Sequence, residues 1–507
     1  MTGRILRASR RNVLRWSAIG IAGTAAAGVL AACGAPPAPT ATAVPPAKPA
    51  EAPKPAAPAA APTTAPAPTT APAAAPAAVA APTTAPAAAP AATKPAAAVA
   101  PVAPVAGTTR EVTFWHSFGG DLGKKLEGYV DEFNKSQKNV AVKYQFAAPS
   151  YNELLQKLLP SIAAGSAPEI VQTGTVSELA KSGALAPLEP LLQSSKVDVP
   201  DFIQGLLADN KYEGKIYGLP SSRSTPILYY NEELLAEAGL EPKAFLSNWQ
   251  NFADQGPKLV KKNGTEVTQV AYSGPPAWWF WSQKVFAFGG EMSDGEGKPL
   301  FNQGAAVDAL QFWQDLIYKQ GVARTYPAGA GFEAWTASST DWLNKKSVVS
   351  AESTAQLTNY LTNAKFKSGA APMPAMKGRG VPTGGSNMMI MAASKQKEAA
   401  MDFLAWFTSA EGTSGWHILS GYMPVRTSAQ KSDKLQEWYK KSPFHKVAVD
   451  QLEVAKPTPV ITQASKFDTQ VTRSLLERVL IQKGDVKAQL DQAAKETEVV
   501  WKEFQTK

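Results

Sequence analysis

The sequence predicts an α/β fold of two lobes, joined by a hinge and separated by a cleft. Three observations lead there. From residue 111 the chain alternates strand and helix patterns in the order β-α-β-α-β, which favours a mostly parallel sheet with helices on its faces. The stretch at 219–231, Leu-Pro-Ser-Ser-Arg-Ser-Thr-Pro-Ile-Leu-Tyr-Tyr-Asn, passes from small polar residues into a dense β-branched and aromatic strand. By composition it reads as an ordinary loop entering a strand; the sharper reading is a crossing between two bodies, with its hydroxyls toward a cleft. After Asn231 a second αβ region begins, and about 400 residues suffice to bury two cores.

Each element has its own signal. Residues 111–117 form a strand ending in polar residues, and Leu122, Leu126, Tyr129, Val130 and Phe133 then share one helix face. Residues 140–146 alternate as a strand, 151–164 form a second amphipathic helix, and 169–172 a short strand. In such sheets ligands bind beyond the carboxyl ends of the strands, which puts Trp115, His116, Ser117 and Tyr151 at the mouth. Beyond the crossing, helices are expected at 231–238 and 249–262, and at 302–321 with Asn302 as its cap. A strand at 347–351 leads into Glu352, Ser353 and Thr354. Strand 388–392 and helix 395–407 suit a return to the first lobe, and helix 486–504 closes the chain.

Charge and composition set the first 108 residues apart. Of 51 Lys and Arg, eight precede residue 109 against one acid, so only about +2 of the formal +9 belongs to the rest. That argues against a nucleic-acid partner, which needs clustered positive charge. Residues 1–33 carry paired arginines at 10 and 11, a mild apolar stretch, and Leu-Ala-Ala-Cys at 30–33. A charged start, an apolar middle and small residues before a cut define an export signal. The paired arginines resemble a twin-arginine signal, and the last four residues resemble a lipobox that places lipid on Cys33. Lipid there would hold the protein at a membrane surface. Residues 34–108 are almost only Ala, Pro, Thr and Val. Such a segment buries nothing large, so a disordered tether is expected, able to reach roughly 200 Å at about 3.1 Å per residue.

Cys33 is the one cysteine, so the region from 109 holds no thiolate site, and the three histidines lack metal spacing. Neither metal nor cofactor is expected. A nucleophile elbow and a phosphate-binding Gly-Lys-Ser/Thr loop are both absent from the sequence. Nothing in the spacing of Asp and Glu selects a catalytic pair. Six aromatic residues, Trp115, Tyr151, Trp278, Trp279, Trp281 and Tyr422, suit a sugar or polyol, whose apolar faces stack on rings while its edges take hydrogen bonds. Gly384-Gly385-Ser386 can offer backbone N–H groups, and Arg223 and Lys466 are candidate anion partners.

These stretches together resemble a known family. Phe-Trp-His-Ser at 114–117, Ser-Tyr-Asn-Glu at 150–153, Gly-Ser-Ala-Pro at 165–168, Ser-Thr-Pro-Ile-Leu-Tyr-Tyr-Asn at 224–231, Gly384-Gly385 and Gly-Tyr-Met-Pro at 421–424 are similar to those of the extracellular solute-binding proteins of ABC importers. Within the sugar-binding group the glycerol-3-phosphate and glycerophosphodiester-binding members are the most similar. The resemblance implies a periplasmic-binding-protein-like fold over 109–507, with lobe 1 at about 109–223 and 368–411 and lobe 2 at about 224–367 and 412–507. It implies no enzyme but a lipid-anchored binding component that delivers a small solute to a membrane permease from the outer face of the membrane. A secreted lipoprotein hydrolase of glycosides or phosphodiesters is the alternative. Carried over by position, the ligand contacts are Tyr151, Ser224, Trp279, Gly385 and Tyr422, with Ser353 or Thr354 as a further polar contact. Two positions depart from the family: its ligand-binding glutamate is here Thr175, and its phosphate-binding arginine is Lys466. Lysine supplies charge without a bidentate fork, which leaves a neutral sugar open beside a phosphodiester.

Overall fold

A computed structural model describes residues 109–506 apart from Thr175, Ala330 and Pro457. The expected export signal, the lipidated Cys33, the tether and the Thr175 contact therefore lie outside the described residues.

A five-stranded and a six-stranded sheet organise the chain. The first takes β1 (Arg110–His116), β2 (Val140–Phe146), β3 (Ile170–Thr173) and β4 (Leu219–Ser224), and borrows β10 (Gly384–Ile390) from far along the sequence. Its order is β2-β1-β3-β10-β4. β1 runs parallel to β2 and β3, whereas β10 is antiparallel to β3 and β4. Along its main path the second sheet has the order β7-β6-β8-β5-β9, from β5 (Pro226–Asn231), β6 (Glu266–Ser273), β7 (Ala323–Arg324), β8 (Ser347–Ser353) and β9 (Ser368–Ala371), and the short strand Lys261–Asn263 pairs antiparallel with β6 as its sixth member. β6, β7 and β8 are parallel, and β5 is antiparallel to β8 and β9.

The stretch at 219–231 is the crossing. β4 lies in the first sheet, β5 in the second, and Thr225 alone separates them. Every residue from Leu219 to Tyr229 is buried. Buried backbone needs partners: the Thr225 carbonyl accepts from the Thr354 N–H at 3.1 Å, and its hydroxyl accepts from Gln451 at 2.9 Å.

The helices form because their apolar faces match the sheets. α1 (Gly120–Ser136) buries Leu126, Tyr129, Val130 and Phe133, at helical spacing, against the first sheet. α2 (Tyr151–Ala163) opens on a reciprocal cap: the Ser150 hydroxyl accepts from the Glu153 N–H at 3.2 Å and donates to the Glu153 carboxylate at 2.9 Å. α3 (Trp278–Ala287), α4 (Ala305–Tyr318) and α9 (Val486–Thr506) pack into the core of the second lobe. α5 (Glu333–Leu343) and α6 (Leu357–Asn363) cover its other face through Trp342 and Tyr360. α7 (Lys397–Phe407) and α8 (Ala410–Ser420) belong to the first lobe, where Phe403, Phe407 and Trp416 join Tyr129 and Phe133.

Several expected boundaries move. Ser368–Ala371 was expected in lobe 1, but it is the edge strand β9 of the second sheet, with Ala370 opposite Tyr229. Its small residues carry little strand signal, and a neighbouring strand recruits them. Lobe 1 therefore resumes at β10. It also continues past 411, because the Trp416 indole on α8 stacks at 5.9 Å on Tyr129 of α1. The helix expected over 249–262 is α-helical only to Gln255, since Gly256-Pro257 tightens it into a 3-10 turn. Asn302 does not cap α4: Gly304 precedes it, and the Asn302 amide donates to Asp491 at 3.0 Å.

Candidate functional site

The carboxyl ends of β1, β3 and β8, the start of β10 and the first turns of α2 and α3 meet along the seam between the sheets. The Ser150–Glu153 cap holds Tyr151 at the first helical position of α2. Its hydroxyl faces those of Ser386 and Tyr422; burial raises its pKa, while those two hydroxyls and the Arg223 charge pull it down. Tyr422 is presented by the end of α8, where Gly421 takes φ 88° as a left-handed cap. The Tyr422 carbonyl is fixed by the His417 ring at 2.7 Å, and its N–H donates to the Ser420 hydroxyl at 3.1 Å. Burial first, and then Tyr151 and the Glu352 charge, push the Tyr422 hydroxyl well above the ordinary phenol range.

Phe118 completes this wall. Its ring is 5.5 Å from Tyr422 at an interplanar angle of 16°, and 6.5 Å from Tyr151. The facing wall comes from the second lobe: Trp279 stands 6.1 Å from Trp335, which lies 6.0 Å from Phe332, and Phe332 meets Tyr151 edge-on at 6.3 Å. The two lobes thus touch across the mouth. Asn152 of α2 donates to Asp468 at 3.2 Å, and Lys181 donates to the Phe504 carbonyl, on the same side.

The floor is glycine. Gly385 has φ +92°, and a Cβ there would lie 2.0 Å from the Ser222 carbonyl oxygen of β4. A Cβ on Gly384 would meet the Trp279 indole at 2.8 Å. The indole N–H donates to the Thr383 carbonyl at 3.1 Å, so Trp279 of the second lobe is seated where the chain enters β10 of the first.

Around this seam several polar atoms are buried and lack a hydrogen-bond partner: the hydroxyls of Ser117, Thr173 and Thr354 and one carboxylate oxygen of Glu352. Each lies within a residue of a strand's end. Buried polar groups cost free energy when unpaired, so a run of them at strand ends marks a place built for a guest. The Glu352 carboxyl is lifted to about 8 by burial, partly offset by the Ser353 N–H it accepts at 2.8 Å.

The expected contacts divide. Tyr151, Trp279, Gly385 and Tyr422 converge on the seam. Ser224 ends β4 opposite Gly384, beside the crossing, and Thr354 lies against Gly421, whose Cβ would fall 2.4 Å from its carbonyl oxygen. The Ser353 hydroxyl instead caps the turn that follows, accepting from the Ala355 N–H at 3.1 Å.

Four candidates make other contacts. Trp115 is turned by the pleat of β1 against α2, with Lys157 4.9 Å above its ring. His116 takes the opposite face, fully buried 3.8 Å from Glu127, and burial lowers its pKa to about 4. Lys466 donates to Glu503 of α9 at 2.5 Å. Arg223 is engaged by Asp209 and by Asn387 at 3.3 Å. Phe118, Phe332, Trp335 and Glu352 were missed. Phe118 directly follows the Phe-Trp-His-Ser stretch, and Phe332 and Trp335 follow Gly329 and Gly331. Those were their only signals.

The model of one family, the bacterial extracellular solute-binding proteins, matches residues 119–414. The chain belongs to that family. As a solute-binding protein it captures a ligand and is not an enzyme. It is 27% identical over 423 residues to the sn-glycerol-3-phosphate-binding periplasmic protein UgpB of Yersinia pestis, covering 78% of this chain and 93% of the relative. Among solved structures it is similar to UgpB of Mycobacterium tuberculosis in complex with glycerophosphocholine, with a TM-score of 0.71 and 25% identity over 78% of this chain and 99% of that one. The fold is also that of the acarbose-binding GacH receptor of Streptomyces glaucescens, with a TM-score of 0.68 and 24% identity over 78% and 99% of the two chains.

Proposed function

We propose that this solute-binding protein is the capture component of an ABC importer, taking a sugar, polyol or glycerol-phosphate-type solute between its lobes and delivering it to a membrane permease. The observation that carries this reading is the meeting of rings from both lobes over a glycine floor, beside buried hydroxyls that have no protein partner. Flat rings take the apolar faces of a polyol, and the free hydroxyls take its edges. Tyr151, Trp279, Gly385 and Tyr422 are the ligand contacts in this reading, with Ser224 and Thr354 beside them. Because the walls come from separate sheets joined by short crossings, a bound solute favours the closed form, the hinge motion known for binding proteins of this type.

Isothermal calorimetry with maltose, mannobiose, sn-glycerol-3-phosphate and glycerophosphocholine tests the proposal. We expect saturable binding of one solute per chain with no turnover, at about −8 kcal/mol if the affinity is micromolar. Heat from none of the panel, or release of a hydrolysed product, would count against it.

The same reading places the protein outside the cell membrane, exported by a twin-arginine signal and anchored by lipid on Cys33, with residues 34–108 as a spacer. The order of paired arginines, apolar stretch and Leu-Ala-Ala-Cys supports it. Cys33→Ser should shed the protein from the membrane fraction. Unchanged membrane retention in that variant would exclude the lipid anchor.

A further inference from the structure

Glu352 is a carboxyl that the fold has no evident structural use for. It ends the run of buried residues on β8, 1% exposed, and only one of its oxygens is satisfied, by the neighbouring Ser353 N–H. Its surroundings come from both lobes. From the second lobe these are Tyr229 and Tyr360, whose rings are 4.5 Å apart; from the first it is Gly421-Tyr422, packed against the Thr354 carbonyl. The Tyr229 and Tyr360 hydroxyls are already spent, on the Ser353 carbonyl at 2.8 Å and on Ser339. Two residues on, the Thr354 hydroxyl is also buried without a partner. The unsatisfied oxygen of Glu352 thus belongs to the seam, next to Tyr422 and Thr354, at the carboxyl end of a strand whose neighbour β6 runs parallel to it.

An unpaired buried carboxyl costs stability, and such costs persist where function needs them. The cations expected to meet a phosphate do not balance it: Lys466 is engaged by Glu503 and Arg223 by Asp209. Resting on the solute-binding reading above, we infer that Glu352 is a specificity-determining residue of the cleft, hydrogen-bonding a hydroxyl of an uncharged saccharide or polyol and disfavouring an anionic phosphate. Protonated at neutral pH, given its raised pKa of about 8, the carboxyl gives a hydroxyl both a donor and an acceptor. A phosphate oxygen, by contrast, only accepts, so it would take the carboxyl's proton and leave its accepting lone pairs unmatched.

The test is calorimetry on the full chain with maltose, mannobiose, sn-glycerol-3-phosphate and glycerophosphocholine, for the wild type, Glu352→Gln and Glu352→Met, with ligand-free melting of each. Gln keeps a donor and an acceptor; Met keeps the volume and loses both. The expected result is that the wild type prefers a saccharide, Glu352→Gln keeps most of that affinity, and Glu352→Met loses it by about ten-fold or more. Glu352→Gln should melt no lower than the wild type, and Glu352→Met only slightly lower, for the Ser353 N–H it leaves without its acceptor. Equal affinity in all three chains overturns the inference, as does tighter binding of either phosphate compound by the wild type. A marked fall in ligand-free melting for Glu352→Met assigns the residue a structural role and also overturns it. If the wild type binds nothing in the panel, the solute-binding reading itself fails, and that result is distinct because it precedes any substitution.

Discussion

Gly385→Ala should abolish solute binding and lower the melting temperature by roughly 5 °C, for a cost of about 4 kcal/mol. Two independent costs act at this position. With φ at +92° the backbone lies where a side chain is strained. The added Cβ would also sit 2.0 Å from the Ser222 carbonyl oxygen, an atom of the strand that Gly385 pairs with. Relief requires β10 and β4 to part beside the crossing at Thr225, and so moves the floor beneath Trp279. Scanning calorimetry and ligand titration measure both effects. Gly128→Ala on α1 is the control: its Cβ would meet nothing within 4 Å, so a gain of up to about 1 kcal/mol is expected from helix propensity. If Gly385→Ala melted and bound like that control, the glycine floor would have no role.

Trp279→Ala should weaken binding by about ten-fold or more and also destabilise the protein by about 3 kcal/mol or more. The sequence alone allowed the ring to be a free plate on the cleft wall. Instead it is 6% exposed, packs 5.5 Å from Phe280 and 6.1 Å from Trp335, and donates to the first lobe at Thr383. Deleting it leaves a cavity, an unpaired carbonyl and a weakened tie between lobes. Trp279→Phe separates the two roles: it keeps a plate and loses the indole N–H, and should retain the fold with a smaller loss of affinity. Wild-type affinity in a folded Trp279→Ala chain would remove this ring from the site.

The site was legible where a contact is announced by its own backbone. Ser-Tyr-Asn-Glu spells a helix cap, so Tyr151 is placed by its neighbours. Gly-Tyr-Met-Pro spells a left-handed helix end, so Tyr422 is placed by Gly421. Gly384-Gly385 marks a close approach. It was illegible where orientation depends on a distant partner. The pleat of β1 carries Trp115 and His116 to opposite faces, and only the placing of α1 and α2 shows that Trp115 lies beside Lys157 and His116 beside Glu127. Lys466 and Arg223 look alike as loose cations in sequence, yet each has an acidic partner at least 14 positions away. Lys284 offers no sequence signal at all, and it lies buried among Trp249, Tyr272 and Trp313, with burial lowering its pKa to about 7.

The sequence by itself determined that this is an α/β chain with a strand entered at 226–231, and that its positive charge resides mainly before residue 109. Periodicity, turn chemistry and composition are local properties, readable along one dimension. Which strands complete each sheet, which lobe owns α8, and whether Glu352 is satisfied were decided only by the tertiary structure. Those depend on groups brought together over more than a hundred positions, as β10 is brought to β4, where contact geometry rather than residue type sets the outcome.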